Sequence, residues 1–164
     1  MVQEHMDNCI TQRNGGENVG SSKFKLNFKL ILGRRIGTIV EGQRNIIGML
    51  KQVRHEQRDN VYRFIFENGF TLLIRQEVFF FHTRLRYEDE NIFFEFSQEE
   101  VFSGMITYAL YETVGLPLEF AIDEMKRIGV SVDEEGFHVM ENLQKNRSKN
   151  TFKNKDAFQQ EKTL

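Results

Sequence analysis

The sequence predicts an α+β fold: a small antiparallel β-barrel or strongly bent sheet, followed by a three-helix segment. Three observations lead there. Residues 23–96 carry short runs rich in β-branched and aromatic side chains, separated by glycines and polar clusters. At Ser97 the apolar spacing changes from period two to helical spacing. No stretch within 23–96 is long and periodic enough to supply crossover helices, so neighbouring strands must run mainly antiparallel.

Residues 1–22 are polar, rich in Gly, Asn and Ser, and read as a disordered leader. Phe24, Leu26, Phe28 and Leu30 then alternate with Lys23, Lys25, Asn27 and Lys29, the pattern of a strand with one wet face. The runs at 36–40, 46–53, 61–66, 70–75, 78–82 and 92–96 read as further strands. Asn68 and Gly69 predict a type I′ hairpin turn, and Glu88, Asp89 and Glu90 a solvated hairpin tip. Ser97 and Glu100 form a capping box, predicting a helix from there to about residue 111. A second helix starts at Pro117, whose missing N–H has no helical partner in a first turn, and carries a stripe of Leu118, Ile122 and Met125. Gly129 closes it in a left-handed conformation. Asp133 caps a third helix bearing Phe137, Met140 and Leu143. Domains are therefore expected at 1–22, 23–96, 97–150 and, as a basic flexible tail, 151–164.

Composition narrows the function. The chain is 40% apolar and 28% charged with a net charge of −2, a globular balance that does not demand a polyanionic partner. The single cysteine, Cys9, allows no intramolecular disulfide and no Cys-rich metal site. No apolar h-region opens the chain, and no run reaches the roughly 18 apolar residues of a membrane span. The expected location is the cytoplasm, with no membrane partner. Charge is uneven: residues 97–142 are mostly acidic, whereas Lys145, Arg147, Lys149, Lys153 and Lys155 follow as a basic cluster.

Residues 104–149 carry two ordered motifs. The first holds Leu110, Tyr111, Thr113, Gly115, Pro117 and Leu118. The second holds Gly129, Val132, Asp133, Glu134, Gly136, Phe137, Met140 and Gln144. In this order and spacing they resemble the end of the aminoacylation region of alanyl-tRNA synthetases; residues 23–96 resemble nothing recognised. There the first motif runs Leu-Tyr-Asp-Thr-Tyr-Gly-Phe-Pro-Leu-Asp and its Asp is associated with reading the tRNA acceptor stem. The matching residue here is Glu112, while Val114 and Leu116 stand where the family has Tyr and Phe. A carboxylate accepts a hydrogen bond from a base amino group. The resemblance thus implies an RNA role for Glu112, which would otherwise be a solvated helix-end carboxylate; separately, the charge pattern would let the basic residues beyond it pair phosphates. Physically, Gly115 permits a tight turn and Pro117 restarts a helix, which a packing corner with no ligand would equally need.

The chemistry of a synthetase is missing from the sequence. Such an enzyme needs an Arg to clamp ATP phosphates and a Gly-rich strand ending in Arg to hold adenine, and neither stands before residue 97. The family's editing centre needs convergent His and Cys ligands; His5, His55, His82 and His138 are scattered and Cys9 lies in the leader. No Ser or Cys stands in a nucleophile setting and no phosphate loop is present. No catalytic residue, metal or cofactor is therefore expected, although a label of alanine–tRNA ligase could be transferred by similarity. Two readings remain. One is a non-catalytic accessory or remnant module related to alanyl-tRNA synthetase that binds tRNA or other RNA through Glu112, Lys145, Arg147, Lys149, Lys153 and Lys155. Basic residues of the β-domain interleaved with aromatics would either add a face for stacking bases or form the wet outer face over an aromatic core, the second being favoured. The other is a protein–protein interaction module using an aromatic-rich β-domain, with Phe79, Phe80 and Phe81 as its patch. The missing ATP-binding set predicts that purified protein gives no alanine-dependent pyrophosphate exchange above a protein-free blank.

Overall fold

The computed structural model describes the backbone of residues 26–162 and the side chains of residues 26–149. The elements run β1 (Arg35–Val40), β2 (Gln43–Glu56), β3 (Val61–Phe66), β4 (Thr71–Arg75), α1 (Gln76–Phe81), β5 (Thr83–Glu88), β6 (Asn91–Phe96), β7 (Val101–Phe102), α2 (Gly104–Val114), α3 (Leu118–Arg127), β8 (Ser131–Val132) and α4 (Glu134–Lys162). Six strands form one sheet in the order β4-β3-β2-β1-β6-β5, and β7 with β8 form a small second sheet. Neighbours in the large sheet are antiparallel except β1 and β6, which are parallel. The sheet stays open, with β4 and β5 at its edges, so the barrel alternative does not hold. Bending comes through β2, whose 14 residues pair with β1 over their first half and with β3 over their second. The register slips near the crossover, at Ile36/Gly37 and at Leu50/Gln52, as β-bulges do where a strand turns.

Alternation sets the layers in β3. Tyr62, Phe64 and Phe66 of β3 are buried while Val61, Arg63 and Ile65 face outward. Four readings are corrected. Leu26, Phe28 and Leu30 pack against the core, but from an irregular segment and a turn rather than a strand. Residues 78–82 are not a strand: Phe79, Phe80 and Phe81 sit on α1 at 1%, 4% and 8% exposure. A strand would turn the middle ring away from its neighbours, whereas a short helix wedged between β4 and β5 buries all three. The turn after β3 has positive φ at Gly69 alone (87°), with Gly69 N donating to Phe66 O (3.0 Å) and Phe66 N to Phe70 O (3.0 Å). It is a three-residue loop, not type I′. The two-residue loops lie elsewhere, at Glu41 and Gly42 and at the expected Asp89 and Glu90 tip, both with paired positive φ.

The fourth correction concerns the first long helix. Ser97 Oγ accepts only from Glu99 N (3.2 Å), a local turn, and Val101 and Phe102 are taken into the parallel pair with β8. The helix begins at Gly104, capped by Ser103, whose Oγ accepts from Ile106 N (3.4 Å). The expected starts of α3 and α4 hold: Pro117 and Asp133 immediately precede them. The α4 backbone remains helical through Lys162, into the stretch read as a fraying tail. The leader and Cys9 lie outside the described residues.

Sheet and helices meet at Asp133, which is 1% exposed. Its Oδ2 accepts from Leu85 N of β5 (2.8 Å) and its Oδ1 from Gly136 N in the first turn of α4 (3.1 Å). Its own N–H donates to Phe102 O of β7 (2.9 Å). Backbones crowd around it: a Cβ at Gly104 would strike the Asp133 carbonyl and lie 2.5 Å from Phe137 N, and one at Gly136 would strike the Asp133 carboxylate. One buried apolar cluster runs from Phe64 and Phe79 through Phe102 and Ile106 to Phe137 and Met140.

Burial raises the Asp133 carboxyl above its ordinary 3.8, against the opposing pull of the two backbone N–H groups and of Arg86 and Arg84. The folded state then holds the proton more tightly than the unfolded chain. This group's contribution is thus complete in acid and declines as pH rises past 3.8 and through the raised value. Asp133→Ala leaves two buried N–H groups without acceptors and should cost about 2–4 kcal/mol. Thermal melts of both proteins should show a larger loss near about pH 4 than near about pH 7.

Candidate nucleic-acid interface

The motif hairpin is built by its glycine and proline. Gly115 ends α2 at φ 71°, with Gly115 N donating to Tyr111 O (3.0 Å) and Leu116 N to Leu110 O (3.3 Å). This left-handed ending satisfies the last carbonyls of α2. Pro117 stands in extended conformation at the cap of α3, and its carbonyl accepts from Ala121 N (3.2 Å). Leu118 and Ile122 are half-buried and Ala121 and Met125 buried, so the predicted stripe faces inward.

Beside the hairpin lies a groove of about 90 Å³ between α2, α4 and the turn around residues 27–30. It gathers Tyr108 and Glu112 from α2, Gln144 and Arg147 from α4, and Lys29, over a floor that includes Met140. Tyr108 Oη donates to Glu112 Oε1 (2.7 Å) one helical turn away. The Tyr108 ring is held edge-on by Phe137 at 5.5 Å. Burial, then the neighbouring Glu112, raises the Tyr108 hydroxyl far above its ordinary value, so it stays a donor at physiological pH. The groove therefore presents a carboxylate already oriented by one hydrogen bond, with two cations on its walls.

Glu112 and Arg147 thus line the same groove. Lys145 and Lys149 are exposed and one turn apart on α4, with Lys145 Nζ 3.7 Å from Glu141 Oε1. Lys153 and Lys155 continue the α4 backbone, their side chains outside the described residues. Sequence reasoning missed Tyr108 altogether and placed Lys29 on a strand; the only available signal for Tyr108 was its four-residue spacing from Glu112.

Of the two readings of the β-domain's basic residues, the structure shows the wet outer face over an aromatic core: Tyr62, Phe64 and Phe66 point into the core and are not interleaved with those residues on one face. The expected phenylalanine patch is overturned. Phe79, Phe80 and Phe81 are core residues and form no interaction patch. Arg44 instead makes a bidentate pair with Glu88 (2.7 and 2.9 Å), and Arg86 lies between Glu95 and Glu135. His55, His82 and His138 stay apart, bonding Gln76 (3.1 Å), the Ser97 carbonyl (3.0 Å) and Glu141 (3.4 Å). No group of three His, Cys, Asp or Glu converges among the described residues, and no helix there is long and apolar enough to cross a membrane.

No family model matches the chain, and no solved structure does. Curated proteins do match in part. The chain resembles a segment of alanine–tRNA ligases. It is 34% identical over 85 residues to the enzyme of Campylobacter jejuni subsp. doylei, covering 49% of this chain and 10% of that protein. Identity to the Ehrlichia chaffeensis enzyme is 43% over 53 residues, covering 32% of the chain and 6% of the ligase. To the Helicobacter pylori enzyme it is 29% over 122 residues, covering 73% of the chain and 13% of the ligase. This last match is longer than the whole helical part and so extends into the strands. The chain spans only 6–13% of the length of these relatives.

Many of the shared motif residues have structural positions in the fold: Gly115, Pro117, Asp133, Gly136 and Phe137 set the hairpin and the foot of α4. A Cβ at Gly115 meets nothing within 4 Å, so only its positive φ resists substitution. Gly115→Val should therefore cost about 1–3 kcal/mol through backbone strain alone. An unchanged melting temperature would show that the α2–α3 turn tolerates another conformation.

Proposed function

We propose that this chain is an RNA-binding module related to a segment of alanine–tRNA ligase, without aminoacylation chemistry of its own, acting in the cytoplasm with tRNA or a similar stem as partner. The observation that carries the reading is the groove beside the motif hairpin, where Glu112, the family-matched position, shares one cleft with Lys29 and Arg147. A cleft of this size does not enclose a nucleotide, but its rim suits the edge of a helix laid against it. Glu112 accepts from a base amino group while the cations of α4 pair phosphates. Similarity supports the relation to the alanine–tRNA ligases, whose name makes tRNA their substrate. The absent ATP-clamping arginines support the lack of chemistry.

The protein-interaction alternative has lost Phe79, Phe80 and Phe81, its principal patch, although Phe70 and Tyr87 of the β-domain stay exposed; the groove makes RNA the partner we favour. A salt titration of binding to a tRNA acceptor-stem hairpin tests this. Affinity should fall with salt at a log–log slope of about −0.7 to −0.9 per phosphate neutralised. Lys145→Ser combined with Lys149→Ser should flatten the slope by about 1–2 units. Glu112→Ala should instead change preference among acceptor-stem sequences and leave the slope nearly alone, because base contacts specify and phosphate contacts position. No binding at about 50 mM salt, where electrostatic affinity is favoured, would remove the reading.

A further inference from the structure

We infer that the outer face of β2, β3 and β4 is a second contact surface, taking the phosphate backbone of RNA; this rests on the RNA-binding reading above. The register lays the face out in rows. Glu56, Val61 and Arg75 form one, and Arg54, Arg63 and Leu73 the next. Alternation turns Tyr62 and Phe64 to the opposite side, where Phe28 and Phe79 pack on them. The face with the arginines is therefore the one away from the core. Arg54 and Arg75 are exposed, and Leu73 beside them is 54% exposed.

The charges on this face are poorly balanced for a surface that only meets water. Arg54 and Arg63 are direct cross-strand partners, and like charges placed opposite each other destabilise a sheet. Glu56 is the single carboxylate in the two rows, and it is engaged by Arg63, whose Nε donates to Oε1 at 2.5 Å. Three guanidiniums thus share one anion. They step from Arg54 to its direct partner Arg63 and then diagonally to Arg75, one strand at a time, with strands about 5 Å apart. A repeating anion matches such a diagonal, and the guanidinium fork matches phosphate oxygens in pairs. The exposed aliphatic Leu73 offers no ring for stacking, so this surface should read backbone and not sequence.

The test is the salt dependence of binding to a short RNA hairpin by the full chain and by Arg54→Ser/Arg75→Ser, leaving Arg63 with Glu56. The expected result is a slope flattened by about 1.5 units, for two phosphates released. Arg54→Lys/Arg75→Lys should restore it, and circular dichroism melts should show no loss of stability in either variant. A slope unchanged by the serine pair but reduced by Lys145→Ser/Lys149→Ser would overturn this surface and leave the groove reading intact. RNA binding absent at low salt would overturn both, and binding of polyglutamate instead would assign the face to an acidic protein.

Discussion

A single buried carboxylate determines how the two parts of this molecule meet. Asp133 bonds β5 through one oxygen, the first turn of α4 through the other, and β7 through its own N–H. Few residues can do this. Asparagine would turn a donor toward one of the two N–H groups, and serine lacks the second oxygen. The cost is a carboxyl held away from water, and burial pushes it above its ordinary range. The return is geometric. With Asp133 fixed, the start of α4 is pinned to the sheet edge, and Gly104 lets the start of α2 lie directly on it without an intervening side chain.

From that junction the groove follows. The start of α2 sets Tyr108 and Glu112 one turn apart on the side facing α4. The start of α4 sets Met140, Gln144 and Arg147 at helical spacing on the matching side. Phe137, one residue past Gly136, packs edge-on against both Tyr108 and Tyr111. A shift of either helix by one position would separate Glu112 from Arg147. The functional reading therefore depends on a buried acid that itself touches no ligand.

Much of this was legible in the sequence, and the failures share a cause. Strands β1, β2, β3, β4 and β6 were visible as short runs rich in β-branched and aromatic residues; β3 alternates buried and outward residues, whereas β1 and β6 are buried through their centres on both faces. The alternation at Lys23 to Leu30 misled, since Leu26, Phe28 and Leu30 dip into the core from a turn, where spacing carries no information about backbone. Three consecutive phenylalanines have no period, and burial on all sides suits a short helix as well as a strand. Ser97 and Glu100 matched a cap locally, but pairing of Val101 and Phe102 with β8 overrode it. Gly115, Pro117 and Asp133 were read correctly because each does something only its residue type does well. The groove was not legible: it needs Lys29, Glu112 and Arg147 together, and nothing in one dimension shows that three distant segments converge.

The motif residues also show what similarity to the ligases carries here. Gly115, Pro117, Asp133, Gly136 and Phe137 form a frame, and a frame places side chains without specifying their chemistry. Position 112 is where the motif leaves the frame and faces the groove. Glutamate there is one methylene longer than the aspartate of the ligase motif it resembles, and its carboxylate meets the Tyr108 hydroxyl at 2.7 Å. The phenol occupies one oxygen and fixes the plane of the group, and lone pairs remain on the carboxylate for a further donor. The longer side chain is thus held as firmly as a shorter one. Its extra freedom is removed by a tyrosine that is itself held by Phe137, so the orientation of the one base-reading candidate traces back, through α4, to Asp133.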